Sequence, residues 1–391
     1  VLASRYLARQ DVSDDRKREF LQAAVSKDDE TPRLALLMRN LLYVAKVSRA
    51  YVENPVAENL VSFRKLDGEH WHAGSWRDSG VGYARGRYAM DINAIWVPNA
   101  LKSIEKIFAT LRDLDFTIDD LENIAPELGG TKLLDYAQKP EFLQQAVKTW
   151  RGAVRHFEVR LSAGEIQRRL QAKLDWLGGE ERAFWKDAIA ESAADQEGIA
   201  FLALSLDENG KPIPVANTDV ATWLFLENAT EDILAREIEP EEVVERLKIF
   251  VTPYPVGLFL QGVGPVVAND VYAAPRVWED FKRELYHSPR VIWGREVNLL
   301  FLGLAKQILT AYDADGHLKD SSLESYVQAL LTVLNKMFAA VEASGLKHNE
   351  LWSYRIENGK LLPARYATTT DIQLWNLTDL GVQYLLDRIK L

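Results

Sequence analysis

Apolar residues recur at three- and four-residue spacing along most of the chain, which is the pattern of amphipathic helices. The spacing predicts helices over 14–25 and 32–52, and a third from Asp91 to Leu114 that Pro98 interrupts or restarts. Further helices are predicted in TIDDLENIA, PEFLQQAVKTWRGAVRHFEV, SAGEIQRRLQAKLDWL, EERAFWKDAIAESAA and ANTDVATWLFLENA, over 240–250, 276–285 and 291–314, and in SSLESYVQALLTVLNKMFAAVEAS and DIQLWNLTDLGVQYLLDRIK.

Turn and capping residues divide these helices. Ser162 followed by Glu165 matches the capping box that starts a helix, and Thr218 or Asp219 is a plausible N-cap for the helix after it. A short strand is predicted at 200–207. Long loops are expected at 252–275, which carries four prolines, and at 345–371.

The element count predicts the fold class. About a dozen helices with almost no strand and no fixed-period repeat favour a closed ring of helical hairpins over a repeat array. Six hairpins would take about 65 residues each of the 391. We therefore expect an all-α protein, an (α/α)6 toroid with a few short strands in its loops, in which residues 1–391 form one domain and long loops at one end build a site.

Composition and charge exclude several classes of function. The net charge of −10 argues against a general nucleic-acid binder, because neutralising phosphates needs clustered Lys and Arg. The absence of cysteine and the scatter of six histidines argue against a metal site, and no motif indicates a cofactor. No run of 18 apolar residues indicates a membrane span.

The chain begins with Val rather than Met. We expect a processed protein or a piece of a longer one, and we favour a periplasmic or secreted location over a cytoplasmic one. The oligomeric state stays open.

Residues 70–101, HWHAGSWRDSGVGYARGRYAMDINAIWVPNAL, are the densest stretch of aromatic and charged side chains. Their glycines prevent a regular helix over most of the stretch. A long loop rich in such side chains is more often a site than a spacer, although a connector whose tryptophans fill the core is the alternative.

Carboxylates among aromatics are the remaining candidate chemistry. Paired carboxylates are what glycoside hydrolysis needs, one as acid and one as base or nucleophile. Each has a structural alternative, since Asp91 and Asp219 are good N-caps, Asp78 could pair with a nearby arginine, and Glu296 could pair with Arg295. The candidates are Asp78, Asp91, Asp219, Glu296 and Glu350.

Four motifs resemble those of the six-hairpin (α/α)6 glycosidases. WRDSG and KPIPVANTDVATWLF resemble loops in the glucosidase part of glycogen-debranching enzymes. NELWSY with DIQLWNLT is similar to a stretch of trehalases and processing glucosidases, and YHSPRVIWGREVNLL resembles a histidine-proline-tryptophan loop that leads into an inner helix. The matching pieces span 70–380 in the order found in that group.

The resemblance implies an inverting hydrolase of a glucoside or short oligosaccharide, with Asp78 as general acid and Glu350 as general base. Departures from the motifs leave Glu296 as an alternative base. Carbohydrate is the expected partner. The expected substrate-binding residues are the stacking rings Trp76, Tyr254, Trp293 and Trp352, and the polar side chains Arg77, Arg87, Asp91, Asn217, Asp219 and His287.

Two other functions remain open. A phosphorylase of the same fold would need a phosphate pocket, which Arg290 and Arg295 near His287 could supply. A non-catalytic toroid that binds a saccharide or a protein would keep the aromatic side chains and lack one member of the acid pair.

Overall fold

The computed structural model describes residues 1–68, 71–192, 198–226, 239–366 and 377–389. These residues are 57% helix and 15% strand, with 15 α-helices, so the prediction of a mostly helical chain is confirmed. The chain divides into two compact units. Unit 1 comprises Val1–Ser62 and Asp91–His156, and unit 2 comprises Phe63–Met90 and Phe157–Leu391. The single domain over 1–391 stays a prediction.

Unit 1 is a helical unit with one small hairpin. Its α-helices are α1 (Leu2–Leu7), α2 (Asp14–Gln22), α3 (Arg33–Glu53), α4 (Val97–Asp113), α5 (Ile118–Ile124), α6 (Lys132–Gln138) and α7 (Pro140–Arg151), and its strands are β1 (Ala24–Ser26) and β2 (Asp29–Pro32). A π-helix, Asp91–Trp96, precedes α4, and Pro98 lies in the first turn of α4. Proline fits there because the first N–H groups of a helix have no internal acceptor.

Helix α3 is central to unit 1 and packs against α4, α6 and α7. Its inward side chains include Tyr51, whose ring centroid lies 4.6 Å from that of Trp150. The Trp150 indole also donates to the carbonyl of Ser48 (3.0 Å), so the buried polar N–H of the ring is satisfied.

Unit 2 contains the remaining helices. They are α8 (Ala163–Trp176), α9 (Gly179–Ser192), α10 (Val220–Leu226), α11 (Pro240–Val251), α12 (Pro275–Arg283), α13 (Gly294–Thr310), α14 (Glu324–Ser344) and α15 (Thr378–Ile389). The predicted capping box at α8 is confirmed, because the Glu165 carboxylate accepts from the N–H and hydroxyl of Ser162. Helix α13 packs against α10, α14 and α15, and Gly303 allows the close approach to α10.

The strands of unit 2 are short. They are β3 (Arg64–Lys65), β4 (Trp71–His72), β5 (Tyr88–Ala89), β6 (Glu158–Ser162), β7 (Gly198–Leu202), β8 (Ser205–Leu206), β9 (Pro212–Ile213), β10 (Ala216–Asn217), β11 (Phe259–Leu260), β12 (Gly264–Pro265), β13 (Ala268–Asn269), β14 (Val291–Trp293), β15 (Leu351–Glu357) and β16 (Lys360–Arg365). The antiparallel sheet β14-β15-β16 and the antiparallel pair β10-β13 bear on the site.

Three predicted boundaries are wrong, and pairing between strands explains each. The helix predicted from 291 begins only at Gly294, because Val291 and Trp293 pair with Ser353 and Leu351. The loop predicted at 345–371 contains the β15–β16 hairpin for the same reason. The helix predicted through FEV near residue 157 ends at Arg151, and its tail pairs with β7. Helical spacing is a local pattern and carries no information about strand partners far along the chain.

No helix of the described part of the chain is long and apolar enough to cross a membrane. The DIQLWN segment of the last predicted helix lies outside the described residues.

Candidate active site

A buried ion pair anchors the Trp76–Arg77 segment of unit 2. Arg77 Nη2 donates to Asp219 Oδ1 (3.0 Å) and to the carbonyl of Val267 (3.2 Å), and both charged side chains are 0% exposed. Burial by itself lowers the pKa of Arg77, but the Asp219 carboxylate outweighs burial and the pKa lies above its usual value. The guanidinium therefore stays charged and holds the loop.

Asn217 fixes Asp219 at the start of α10. The Asn217 Oδ1 accepts from the Asp219 N–H (3.0 Å), and its Nδ2 donates to the carbonyl of Leu202 (3.1 Å). Asparagine commonly makes this turn, in which its side chain binds the backbone two residues on. Asn217 and Asp219 are thus both buried and orient other groups, and neither side chain has appreciable exposed surface for a ligand.

Three aromatic rings meet above this ion pair. The Trp76 indole donates to Asp219 Oδ1 (3.2 Å), and its ring is edge-on to His287 (5.4 Å) and to Trp293 (5.8 Å). His287 and Trp293 are parallel at 5.5 Å. Trp76 and Trp293 are partly exposed, so part of the indole surface of this cluster is accessible to solvent.

Glu284 connects His287 to the loop that carries Asp78. Its carboxylate accepts from Ser79 Oγ (3.2 Å) and lies 3.3 Å from His287 Nδ1. Burial lowers the pKa of His287. Burial alone would raise the pKa of Glu284, but hydrogen bonds from His287, the Tyr286 N–H and Ser79 outweigh it, and the pKa is lowered.

Asp78 follows Arg77 directly, and its side chain is exposed. Its φ of 36° lies in the left-handed region, which a non-glycine residue adopts at an energetic cost. A hydrogen bond and a close packing contact hold this turn in place. The Asp78 N–H donates to the Ser75 carbonyl (2.9 Å), and Gly82 packs so closely on Ser79 and His287 that a Cβ would lie about 3 Å from them. Strain of this kind concentrates at functional sites.

The two candidate bases lie at the corner where β14 enters α13. The Gly294 N–H donates to the carbonyl of Glu350 (2.8 Å), and Glu296 follows in the first turn of the helix. Glu296 is 1% exposed and accepts from Arg295 (2.7 Å), whereas Glu350 is partly exposed. The Arg295 guanidinium also lies 5.1 Å from the Trp76 ring centroid, which links this corner to the aromatic cluster.

The structure therefore gathers predicted residues from four separate segments of unit 2. They are Trp76, Arg77, Asp78, Asp219, His287, Trp293, Glu296 and Glu350. We call these eight residues the carboxylate–tryptophan cluster.

Other predicted substrate-binding residues have different surroundings. Trp352 is 0% exposed and donates to the Val263 carbonyl (2.9 Å), so its ring has no free face for stacking. Tyr254 is buried against Trp185, with ring centroids 4.7 Å apart. Arg87 lies over the rings of Trp71 and Tyr88, and Asp91 is a buried residue of unit 1.

Both arginines of the expected phosphate pocket already contact carboxylates. Arg290 pairs with Glu181, and Arg295 pairs with Glu296. A phosphate group would have to compete with these carboxylates for the guanidinium donors. The geometry thus gives the phosphorylase alternative no support.

Sequence reasoning missed Glu284 and Ser79. The signal available was the spacing of Glu284 three residues before His287, which places two polar side chains together at the end of α12. The hydrogen bond from Ser79 to Glu284 joins residues about 200 positions apart, so no local pattern in the sequence could predict it.

An exposed turn in unit 2 brings potential metal ligands together. Ligand atoms of Asp313, Asp315 and His317 lie within 4.8 Å of one another. Asp313 Oδ1 already accepts from the N–H groups of Asp315 (3.0 Å) and His317 (2.8 Å). These hydrogen bonds stabilise the turn, and the turn explains why the three side chains lie close together.

Comparison of the chain with protein-family models, with curated proteins and with solved structures gives no match.

Proposed function

We propose that the protein is an inverting glycoside hydrolase of the (α/α)6 type that acts on a glucoside or short oligosaccharide. In this proposal the chain forms a single toroid of helical hairpins, and the carboxylate–tryptophan cluster lies at its substrate-binding end. The proposal explains why partly exposed indoles and carboxylates lie together at a site for which the sequence predicts no cofactor.

The observation that supports it best is the aromatic cluster of Trp76, His287 and Trp293, which borders both the Asp78 turn and the backbone of Glu350. Asp78 adjoins the Arg77 anchor, and the Glu350 carbonyl binds Gly294 beside Trp293. Indole faces bind the apolar faces of sugar rings, while carboxylates carry the proton transfers of glycoside cleavage. The sequence motifs predicted both the indole rings and the carboxylates, which come from segments far apart in the sequence.

Each carboxylate has a defined role in this mechanism. Asp78, as general acid, gives a proton to the leaving glycosidic oxygen, and Glu350, as general base, removes a proton from a water that attacks the anomeric carbon from the opposite face. An inverting enzyme needs space for that water, so the carboxyl groups should lie roughly 6.5–9.5 Å apart when substrate is bound. The strained backbone at Asp78 and the Glu284–Ser79 bond would keep the acid oriented.

Burial favours Glu350 over Glu296 as the base. Glu296 is 1% exposed and bonded to Arg295, so water reaches its carboxylate poorly. Glu350 is partly exposed on the same corner. Glu296 would then act by holding Arg295 close to the Trp76 ring.

The first experiment is an activity screen of the full chain against α- and β-linked disaccharides and oligosaccharides, with and without phosphate. We expect monosaccharide release that does not depend on phosphate, and an inverted anomer detected by NMR immediately after cleavage. Release only with phosphate would indicate a phosphorylase. Absence of release from every sugar, with saccharide binding still detected by calorimetry, would indicate the binding toroid and contradict the proposal.

Isosteric variants assign the roles. Asp78→Asn and Glu350→Gln should each lower kcat by about 10² to 10⁴, because each removes a proton-transfer group and keeps its shape. Asp187→Asn and Glu357→Gln change exposed residues of α9 and β15, and as matched controls they should retain activity. Loss of activity in Glu296→Gln together with a fully active Glu350→Gln would show that Glu296 is the base.

A further inference from the structure

Two tyrosines extend the aromatic surface of unit 2 beyond the carboxylate–tryptophan cluster. The Tyr286 ring centroid lies 6.5 Å from that of His287 and 6.1 Å from that of Tyr366. Tyr286 is 41% exposed, and Trp293 and Tyr366 are partly exposed. We call Tyr286, Trp293 and Tyr366 the aromatic strip. Large exposed apolar side chains that lie together, rather than singly, are typical of binding surfaces.

Hydrogen bonds to the backbone fix the rings of the strip relative to one another. The Trp293 indole N–H donates to the Tyr286 carbonyl (2.5 Å), and the Tyr366 hydroxyl donates to the Leu285 carbonyl. The segment that carries Tyr286 therefore binds the polar group of each of the other two side chains. Rings that are already held in place lose little conformational entropy when a ligand lies on them.

The sheet β14-β15-β16 places the strip beside the backbone of Glu350. Trp293 pairs with Leu351, the residue after Glu350. Tyr366 follows the last paired residue of β16, at the same end of the sheet. Because β15 is the central strand, Trp293 and Tyr366 lie on either side of the point where the chain enters β15. The strip is therefore continuous with the carboxylate–tryptophan cluster and borders the candidate base.

Tyr286 offers both kinds of contact that a sugar ring makes. A sugar has an apolar C–H face, which packs on an aromatic ring, and hydroxyl groups at its edge, which donate and accept hydrogen bonds. The Tyr286 ring is exposed, and its hydroxyl makes no hydrogen bond with any residue that the structure describes. A sugar unit can therefore contact this side chain without displacing a protein partner.

We infer that the aromatic strip binds sugar units of the substrate beyond those that flank the cleaved bond. The substrate class is then a linear gluco-oligosaccharide longer than a disaccharide, rather than a simple glucoside. The inference rests on the proposed function, because the strip is continuous with the site of that function. Tyr286 and Tyr366 become residues that determine the preferred length of the substrate.

The test is calorimetric titration of the full chain, carrying Asp78→Asn so that substrate stays intact, with maltose, maltotriose and maltotetraose and with the corresponding cello-oligosaccharides. In one of the two series we expect the tetrasaccharide to bind about tenfold more tightly than the disaccharide, which corresponds to about 1.4 kcal/mol. Adding Tyr286→Ala should remove this gain and leave the affinity for the disaccharide unchanged.

The variants have matched controls. Tyr286→Phe keeps the ring and removes the hydroxyl, so it should retain most of the gain with chain length. Tyr286 is exposed, so neither substitution should lower the thermal unfolding temperature appreciably. Tyr43→Ala removes a tyrosine of unit 1 that is 67% exposed, and it should leave the affinity for every sugar unchanged.

Two results would overturn the inference. The first is that no tetrasaccharide binds more tightly than its disaccharide, and the second is a gain with chain length that persists in Tyr286→Ala. Cleavage of disaccharides without such a gain would refute the role of the strip and leave the hydrolase proposal standing. A gain that requires Tyr286, in a chain that cleaves no sugar, would support the strip and contradict the hydrolase proposal.

Discussion

Replacing Asp219 by alanine removes one partner of an ion pair that unit 2 buries completely. Arg77 would keep its charge at 0% exposure, and its Nε and Nη1 already make no hydrogen bond with a described residue. The variant would leave only the Val267 carbonyl, 3.2 Å away, as an acceptor for the guanidinium. It would also remove the acceptor of the Trp76 indole.

The expected cost follows from burial. Breaking a buried ion pair by removing one partner costs about 3–5 kcal/mol, and the lost indole hydrogen bond adds about 1 kcal/mol. At about 1.4 kcal/mol per factor of ten, the ion pair alone corresponds to a 10²- to 10⁴-fold loss of protection. An exposed pair gives the contrast: Asp175→Ala, which separates Arg182 from a carboxylate that is 56% exposed, should cost less than about 1 kcal/mol.

Amide hydrogen exchange measured by mass spectrometry is the assay, because it reports local opening free energies segment by segment. Peptides from α10 and from the segment around Val267 should exchange faster in Asp219→Ala, while peptides from α3 and α7 of unit 1 serve as an internal reference. The double variant Arg77→Met with Asp219→Leu should recover most of the protection, because an apolar pair leaves no buried charge.

The reasoning is refuted if Asp219→Ala loses less than tenfold protection, or no more than Asp175→Ala does. It is also refuted if the apolar double variant is as unstable as the single one. The first result would mean that Arg77 reaches solvent or another acceptor at little cost, and the second that the loss of protection does not arise from an unpaired buried charge.

Three further predictions test the site corner, the helix cap and the buried histidine. Gly294→Ala should destabilise unit 2 by about 1–3 kcal/mol in urea unfolding, because the new Cβ would lie 2.5 Å from a backbone carbonyl oxygen. Gly164→Ala is the control: no atom lies within 4 Å of its Cβ, and it should stabilise α8 by up to about 1 kcal/mol. Glu165→Ala should lower the stability of α8 slightly and speed amide exchange at its start, since it removes the acceptor for the Ser162 N–H; unchanged exchange there would contradict the cap. Burial holds the pKa of His287 below 6.5, so as the pH drops below 6.5 the unfolded chain takes up a proton that the folded chain does not. The unfolding free energy should therefore fall in that range. The variant His287→Gln should show a smaller fall in melting temperature between pH 7 and pH 5 than the unchanged chain.

Helices and their caps could be predicted from the sequence because their determinants are local. The apolar spacing located α3 within a residue at each end, and Ser162 with Glu165 placed the start of α8. The strand β14 could not be predicted in this way, because Val291 pairs with Ser353 far along the chain and its own neighbours resemble the start of a helix. Residue type and spacing are properties of the sequence, whereas a pairing partner is a property of the fold.

The same division holds for the candidate site. The sequence determined that indoles, arginines and carboxylates were concentrated around Trp76 and in a few later motifs, since residue identity alone shows this. Only the tertiary structure decided which of them are exposed: Asp78 is, Asp219 is buried against Arg77, and Trp352 is enclosed by the core. A side chain's role in binding depends on what packs against it, and that packing brings together residues that no local pattern connects.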